Sequence, residues 1–213
     1  MSHDRLITEL SSQLAPVRRR SVAREAVWLV GLGALQLIVI LNSGLMRPDM
    51  GDAVGHPFMW WKLGGLALLV ATSILTAVRS FSPVGSPRRG LIFLTGAIGL
   101  IALLGAIVSP GGAVAPTLAG RLAPTHGLIC ATSIVVLALP MLGMLTYLMR
   151  NGASAHTESS AVAVGLAGGS WGAFVFAFCC LVNDPLYIVV WYSLGCAVVA
   201  LLARFILPRI AAL

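Results

Sequence analysis

GLICATSIVVLALPMLGMLTYL, residues 127–148, decides the fold. These 22 residues pass without one charged side chain. An α-helix needs ~20 apolar residues to cross the hydrocarbon core of a bilayer. A β-strand is usually only ~5–6 residues long, so a strand reading fails on length. In lipid the backbone polar groups must be satisfied within the segment, which leaves a helix. Pro140 falls inside the stretch and predicts a kink.

Five more stretches of the same kind surround it. They run from Ala26 to Leu45, Met59 to Val78, Leu91 to Val108, Ala161 to Val182 and Leu186 to Leu207. Charges and many of the prolines collect between them, as in Arg47-Pro48-Asp49, Pro87-Arg88-Arg89 and Asn183-Asp184-Pro185. The pattern predicts an all-α fold: an integral membrane bundle of six transmembrane helices, residues 26–213, behind a short N-terminal segment, residues 1–25. The first stretch has a basic run before it, Arg18-Arg19-Arg20, as a signal peptide would. Its length, the late start of that run and the poor cleavage site at Asn42-Ser43-Gly44 favour a retained helix.

Composition agrees. Of 213 residues, 58% are hydrophobic and 10% charged, against ~25% charged in soluble domains. Soluble enzymes, disordered regulators and basic DNA-binding proteins are excluded on this ground. The net charge of +7 reads instead as topology. With the N-terminus cytoplasmic, that side holds Arg5, Arg18, Arg19, Arg20, Arg24, Arg79, Arg88, Arg89, Arg150, Arg204 and Arg209. The other side holds Arg47, Lys62 and Arg121. The split is 11 to 3, which predicts both termini in the cytoplasm. Lys62 and Arg204 sit near span ends and are expected to snorkel to the interface.

Catalytic and transport chemistry are thin. None of the seven acidic residues lies mid-span, where ion-coupled carriers keep ionisable groups. There is no G-x-S-x-G, H-E-x-x-H or C-x-x-C, and Ser170 has no evident base. Gly165, Gly168, Gly169 and Gly172 read as a surface for close helix approach. No enzyme is expected.

Four cysteines remain. Cys130 lies about one turn inside the outer end of the fourth span, and Cys179 and Cys180 about one turn from the outer end of the fifth. Cys196 lies near mid-membrane as a packing residue. Cys179 and Cys180, read as neighbours on a helix, diverge by about 100°, so one of them would face Cys130. His126 and Cys130 are spaced i, i+4 on one face. With Cys180 they would offer a soft metal ion one imidazole and two thiolates, a transient occupant rather than a resident cofactor. Equally, His126 is an interfacial residue and the cysteines are filler.

The N-terminal segment carries an amphipathic stripe of Leu6, Ile7, Leu10, Leu14 and Val17. A helix over Asp4–Ala15 would be ~18 Å long, too short to stand alone in water. It needs a membrane surface or a groove on a partner. Asp4 and Glu9 on its polar face suit a protein partner better than anionic lipid.

The chain resembles the NrsF-type membrane anti-sigma factors, the negative regulators of sigma F. The resemblance rests on Asp4-Arg5-Leu6-Ile7-Thr8-Glu9-Leu10 with Ala15-Pro16-Val17-Arg18-Arg19, Gly44-Leu45-Met46-Arg47-Pro48-Asp49 and Pro57-Phe58-Met59-Trp60-Trp61-Lys62. Further along it rests on Cys130, the run from Leu145 to Ala153, and Cys180 followed by Pro185, Tyr187 and Trp191-Tyr192. It implies an inner-membrane protein that holds an extracytoplasmic-function sigma factor, touches no nucleic acid itself, and senses oxidative or heavy-metal stress through Cys130 and Cys180. Residues 4–17 would be the sigma-binding helix. Where the family often carries an acidic cluster after the second cysteine, this chain has Asn183-Asp184, and Cys179 is an extra neighbour. A membrane thiol oxidoreductase and a small-solute transporter are the competing classes.

Overall fold

A computed structural model describes residues 21–82, 85–108, 117–122, 124–152 and 156–211. The stripe of Leu6, Ile7, Leu10, Leu14 and Val17 lies outside the described residues. Six long helices carry the architecture: α1 (Val22–Asn42), α2 (Pro57–Ser80), α3 (Arg88–Ile107), α4 (Pro124–Arg150), α5 (Thr157–Ala177) and α6 (Pro185–Ala211). Each is long and apolar enough to cross a membrane. Two short helices, Met50–Ala53 and Leu118–Leu122, lie between them, and no strand occurs among the described residues.

The ends follow from local sequence. Ser21 caps α1, its side chain accepting from Arg24 N at 3.4 Å. Pro57 opens α2 at a position where its missing N–H costs nothing. Asp184 caps α6, its Oδ1 accepting from Leu186 N at 2.9 Å, and Pro185 follows it at the helix start.

α5 is the hub. It is buried over most of its length and packs on α2, α4 and α6. A helix this small all round can be surrounded, and its residues show how. A Cβ placed on Gly165 would lie 2.6 Å from Ala200 Cα, and one on Gly169 would lie 2.9 Å from Cys196 Cα, both on α6. On another face, Ser170 Oγ and Ser73 Oγ of α2 share a hydrogen bond of 2.8 Å. Ser170 therefore packs α5 on α2.

α1 is the outlying helix, tied in by polar contacts. Gln36 Nε2 donates to Leu137 O of α4 at 2.7 Å, and Trp171 Nε1 of α5 donates to Gln36 Oε1 at 2.9 Å. The accepting carbonyl is next to that of Val136, which loses its helix donor at Pro140. α4 runs unbroken through that proline.

One boundary departs from expectation. The fifth helix ends at Ala177, with Phe178 as its cap, rather than at Val182. Cys179 and Cys180 are therefore not helix neighbours. Residue 184 precedes a proline, which disfavours helical backbone there. The unwound carbonyls between also find donors elsewhere in the fold, as the site shows.

Candidate functional site

The segment between α5 and α6 brings Cys180 back into the bundle. Cys130 and Cys180 are 7% and 4% exposed and share one apolar cluster with Phe58, Tyr187, Trp191 and Tyr192. No disulfide joins them. Cys130 Sγ shares a hydrogen bond of 3.1 Å with Tyr187 Oη.

Glycine makes the approach feasible. A Cβ on Gly127 would collide with the Trp191 ring, so the first turns of α4 sit on α6 only because that position is bare. Trp191 Nε1 donates to Leu122 O at 2.7 Å and closes the same corner.

Two buried cations hold the unwound backbone. Lys62 is 2% exposed; its Nζ donates to Cys180 O at 3.2 Å and Val182 O at 3.4 Å and stands 5.7 Å above the centre of the Tyr192 ring. The expectation that Lys62 snorkels is corrected here. Free carbonyls of the unwound segment lie within its reach, so its head turns inward. Arg47 is also 2% exposed. It pairs with Asp49 through bonds of 2.7 and 2.6 Å and donates to Asn183 Oδ1 at 3.1 Å and Cys180 O at 3.4 Å. Backbone joins in, with Arg47 N donating to Phe178 O at 3.1 Å. Unpaired carbonyls in an apolar interior are expensive, and these contacts satisfy them.

Asp184 is occupied as well. Arg121 grips it through bonds of 2.7 and 2.8 Å. The guanidinium holds the Asp184 carboxyl below the usual carboxylate range, against the effect of burial. Thus Arg47, Lys62 and Arg121, the three basic residues on the minority side of the charge count, all close on residues 180–184.

The neighbouring thiols are not equivalent. The Cys130 hydrogen bond chiefly holds the Cys180 thiol below the ordinary thiol range; burial opposes it, and Lys62 and Tyr192 assist. Burial pushes the Cys179 thiol up. Tyr192 Oη is buried and makes no hydrogen bond among the described residues.

Of the residues singled out in the sequence, the structure brings together Cys130 and Cys180. His126 is exposed in the first turn of α4, and no group of three His, Cys, Asp or Glu side chains suited to a metal ion forms among the described residues. The pair thus offers two soft ligands, not the three-ligand set. Arg47, Lys62, Tyr187 and Tyr192 were not read as site residues. For Lys62 the signal was present, as a cation one turn into an otherwise apolar span.

The family model described as "negative regulator of sigma F" (NrsF) matches residues 10–212. A protein of Caulobacter vibrioides (strain NA1000 / CB15N) described as "Anti-sigma-F factor NrsF" is 30% identical over 202 residues, 92% of each chain. A protein of Azospira oryzae (strain ATCC BAA-33 / DSM 13638 / PS) described as "Probable anti-sigma-F factor NrsF" is 25% identical over 199 residues, again 92% of each. No solved structure matches.

Proposed function

The chain belongs to the NrsF family of negative regulators of sigma F, and on that premise we propose a membrane-bound anti-sigma factor that sequesters an extracytoplasmic-function sigma factor and releases it on oxidative or heavy-metal stress. The match over nearly the whole chain carries this reading. Six apolar helices and the 11-to-3 split of basic residues support a bacterial inner-membrane protein with both termini in the cytoplasm. The sigma factor is the partner, and the bilayer is the solvent.

Residues 4–17 dock as a helix on the sigma factor through Leu6, Ile7, Leu10, Leu14 and Val17. Cys130 and Cys180 are the sensor. Their burial side by side supports this, because a bond or a shared soft ion between them alters how α4 meets the segment after α5. Release requires that the altered state bind sigma less tightly. A loss of ~3 kcal/mol loosens binding more than a hundredfold. A regulatory family and a buried pair held by cations fit a sensor better than a turnover centre.

The test is co-purification of the sigma factor with the full-length chain from membranes. Leu6→Asp, Leu10→Asp and Leu14→Asp together should abolish it. Undiminished recovery of sigma with that triple variant would sink the docking helix.

A further inference from the structure

Tyr187 lies in the first turn of α6, three residues after the cap Asp184, and is 1% exposed. Its ring stands 6.4 Å from that of Trp191, one turn further on, with the planes tilted by 50°. Its hydroxyl has one hydrogen-bond partner among the described residues, Cys130 Sγ of α4 at 3.1 Å. A buried tyrosine hydroxyl needs a partner, and here that partner is one of the two sensor thiols.

The contact favours one oxidation state. A thiol offers a weak S–H donor and a weak sulfur acceptor. Either atom can therefore be the donor across the 3.1 Å contact. A disulfide sulfur has no hydrogen to give and keeps only the weak acceptor. A bond between Cys130 and Cys180 thus removes one of the two ways in which Tyr187 is satisfied. The buried hydroxyl is then less well paired, which is costly. The position of the pair gives this bias a use. In the proposed topology it lies toward the outer face, and the bacterial periplasm is kept oxidising. A sensor there that answers only to stress must resist the disulfide at rest. Burial restricts access to the thiols, whereas a hydrogen bond that the disulfide weakens acts on the equilibrium itself.

We propose that Tyr187 is a positioning residue that sets the redox threshold of the pair: its hydroxyl holds Cys130 in the thiol state and raises the potential at which the Cys130–Cys180 disulfide forms. The proposal rests on the redox-sensing reading of the pair. The oxidant that defines the equilibrium is a small-molecule disulfide. The sulfur of one cysteine attacks it, a mixed disulfide forms and one small thiol leaves. The sulfur of the other cysteine then displaces the second small thiol. The two cysteine protons leave on the two small thiols, and two electrons pass from the protein to the oxidant. Tyr187 makes and breaks no covalent bond in this sequence; its hydrogen bond weakens as the disulfide closes. One hydrogen bond is worth about three- to tenfold in an equilibrium constant. For a two-electron couple that is ~14–30 mV.

The experiment uses the full-length parent and Tyr187→Phe in lipid nanodiscs. Both are equilibrated, from the reduced and from the oxidised side, in mixtures of reduced and oxidised dithiothreitol and of glutathione and its disulfide. The Cys130–Cys180 disulfide is quantified by mass spectrometry after the free thiols are alkylated. Tyr187→Phe should favour the disulfide about three- to tenfold and move the midpoint ~14–30 mV more negative. Thermal unfolding gives a second readout. Loss of the hydroxyl should lower the Tm of the reduced protein more than that of the disulfide form, whereas a tyrosine that only fills space would lower both alike. Retained sigma binding in the reduced state identifies a folded variant. Tyr187→Leu, which also lacks the hydroxyl, stands in for a Tyr187→Phe that does not fold. A midpoint equal to the parent's, or more positive, overturns the threshold and leaves the sensor standing. A parent whose pair forms no disulfide in any mixture overturns the sensing reading, and this proposal with it.

Discussion

At the scale of single residues, the site depends on three adjacent positions behaving differently. Phe178 ends α5, Cys179 is half-buried with its thiol pushed up by burial, and Cys180 turns inward to Cys130. Cys180→Ser and Cys130→Ser should each abolish stress-induced release of sigma, whereas Cys179→Ser should release it like the parent. Sigma retained per chain, before and after oxidant, measures this; a silent Cys180→Ser would assign the sensing elsewhere. Depth along the spans was enough to put Cys130 level with the two later cysteines. It did not choose between those two, because the choice depends on where the helix unwinds. Unwinding in turn depends on Lys62 and Arg47, whose donors come from 118 and 133 residues away in the chain. No local pattern carries that information.

At the scale of elements, α5 shows the opposite case, in which spacing alone was nearly sufficient. Its small residues form separate stripes, and each stripe meets a different neighbour: Gly165 and Gly169 face α6, Ser170 faces α2 and Gly168 faces Leu142 of α4. Gly165→Leu should destabilise the bundle by more than the ~1–3 kcal/mol typical of overpacking, since the obstructing atoms include the Ala200 and Val199 backbone. Thermal unfolding in lipid would show it as a lowered Tm, and an unchanged Tm would mean that α6 stands further off. The start of α6 offers a second check through pH. Asp184 titrates below the ordinary carboxylate value because of Arg121, so the stabilisation it brings is complete above the unfolded pKa, about 3.9. It is lost as pH falls through the lowered folded value. Arg121→Gln should lower Tm near neutrality and flatten its fall below about pH 4. The gain is modest, because Arg121 is one-third exposed and solvent screens the pair.

At the scale of the whole molecule, charge sorts into two populations. Basic residues of the majority side face outward from the fold where described: Arg24, Arg88, Arg89 and Arg150 are exposed. The minority three, Arg47, Lys62 and Arg121, instead converge on residues 180–184. A count of signs reads both populations as topology, yet the second also binds the segment between α5 and α6. Lys62 and Arg47 fasten the segment after α5 to α2 and to the loop after α1, so residue 180 is tied to elements that run to the opposite end of the bundle. α1 leads back to residues 4–17, and one polar tie from it to α4 and α5 is Gln36, between Leu137 of α4 and Trp171 of α5. α4 carries Cys130, and α5 leads into Cys180. Gln36→Leu keeps an apolar side chain of similar length in α1 but leaves Trp171 Nε1 and Leu137 O without these partners. Reduced protein should still hold sigma, because the docking residues are untouched. Oxidation should release sigma less than in the parent, because α1 no longer follows the movement of α4 and α5. Parallel sigma-release curves, each with the Cys130–Cys180 disulfide quantified, separate failed oxidation from failed transmission. Full release by Gln36→Leu at the same disulfide content would show that α1 takes its instruction by another path.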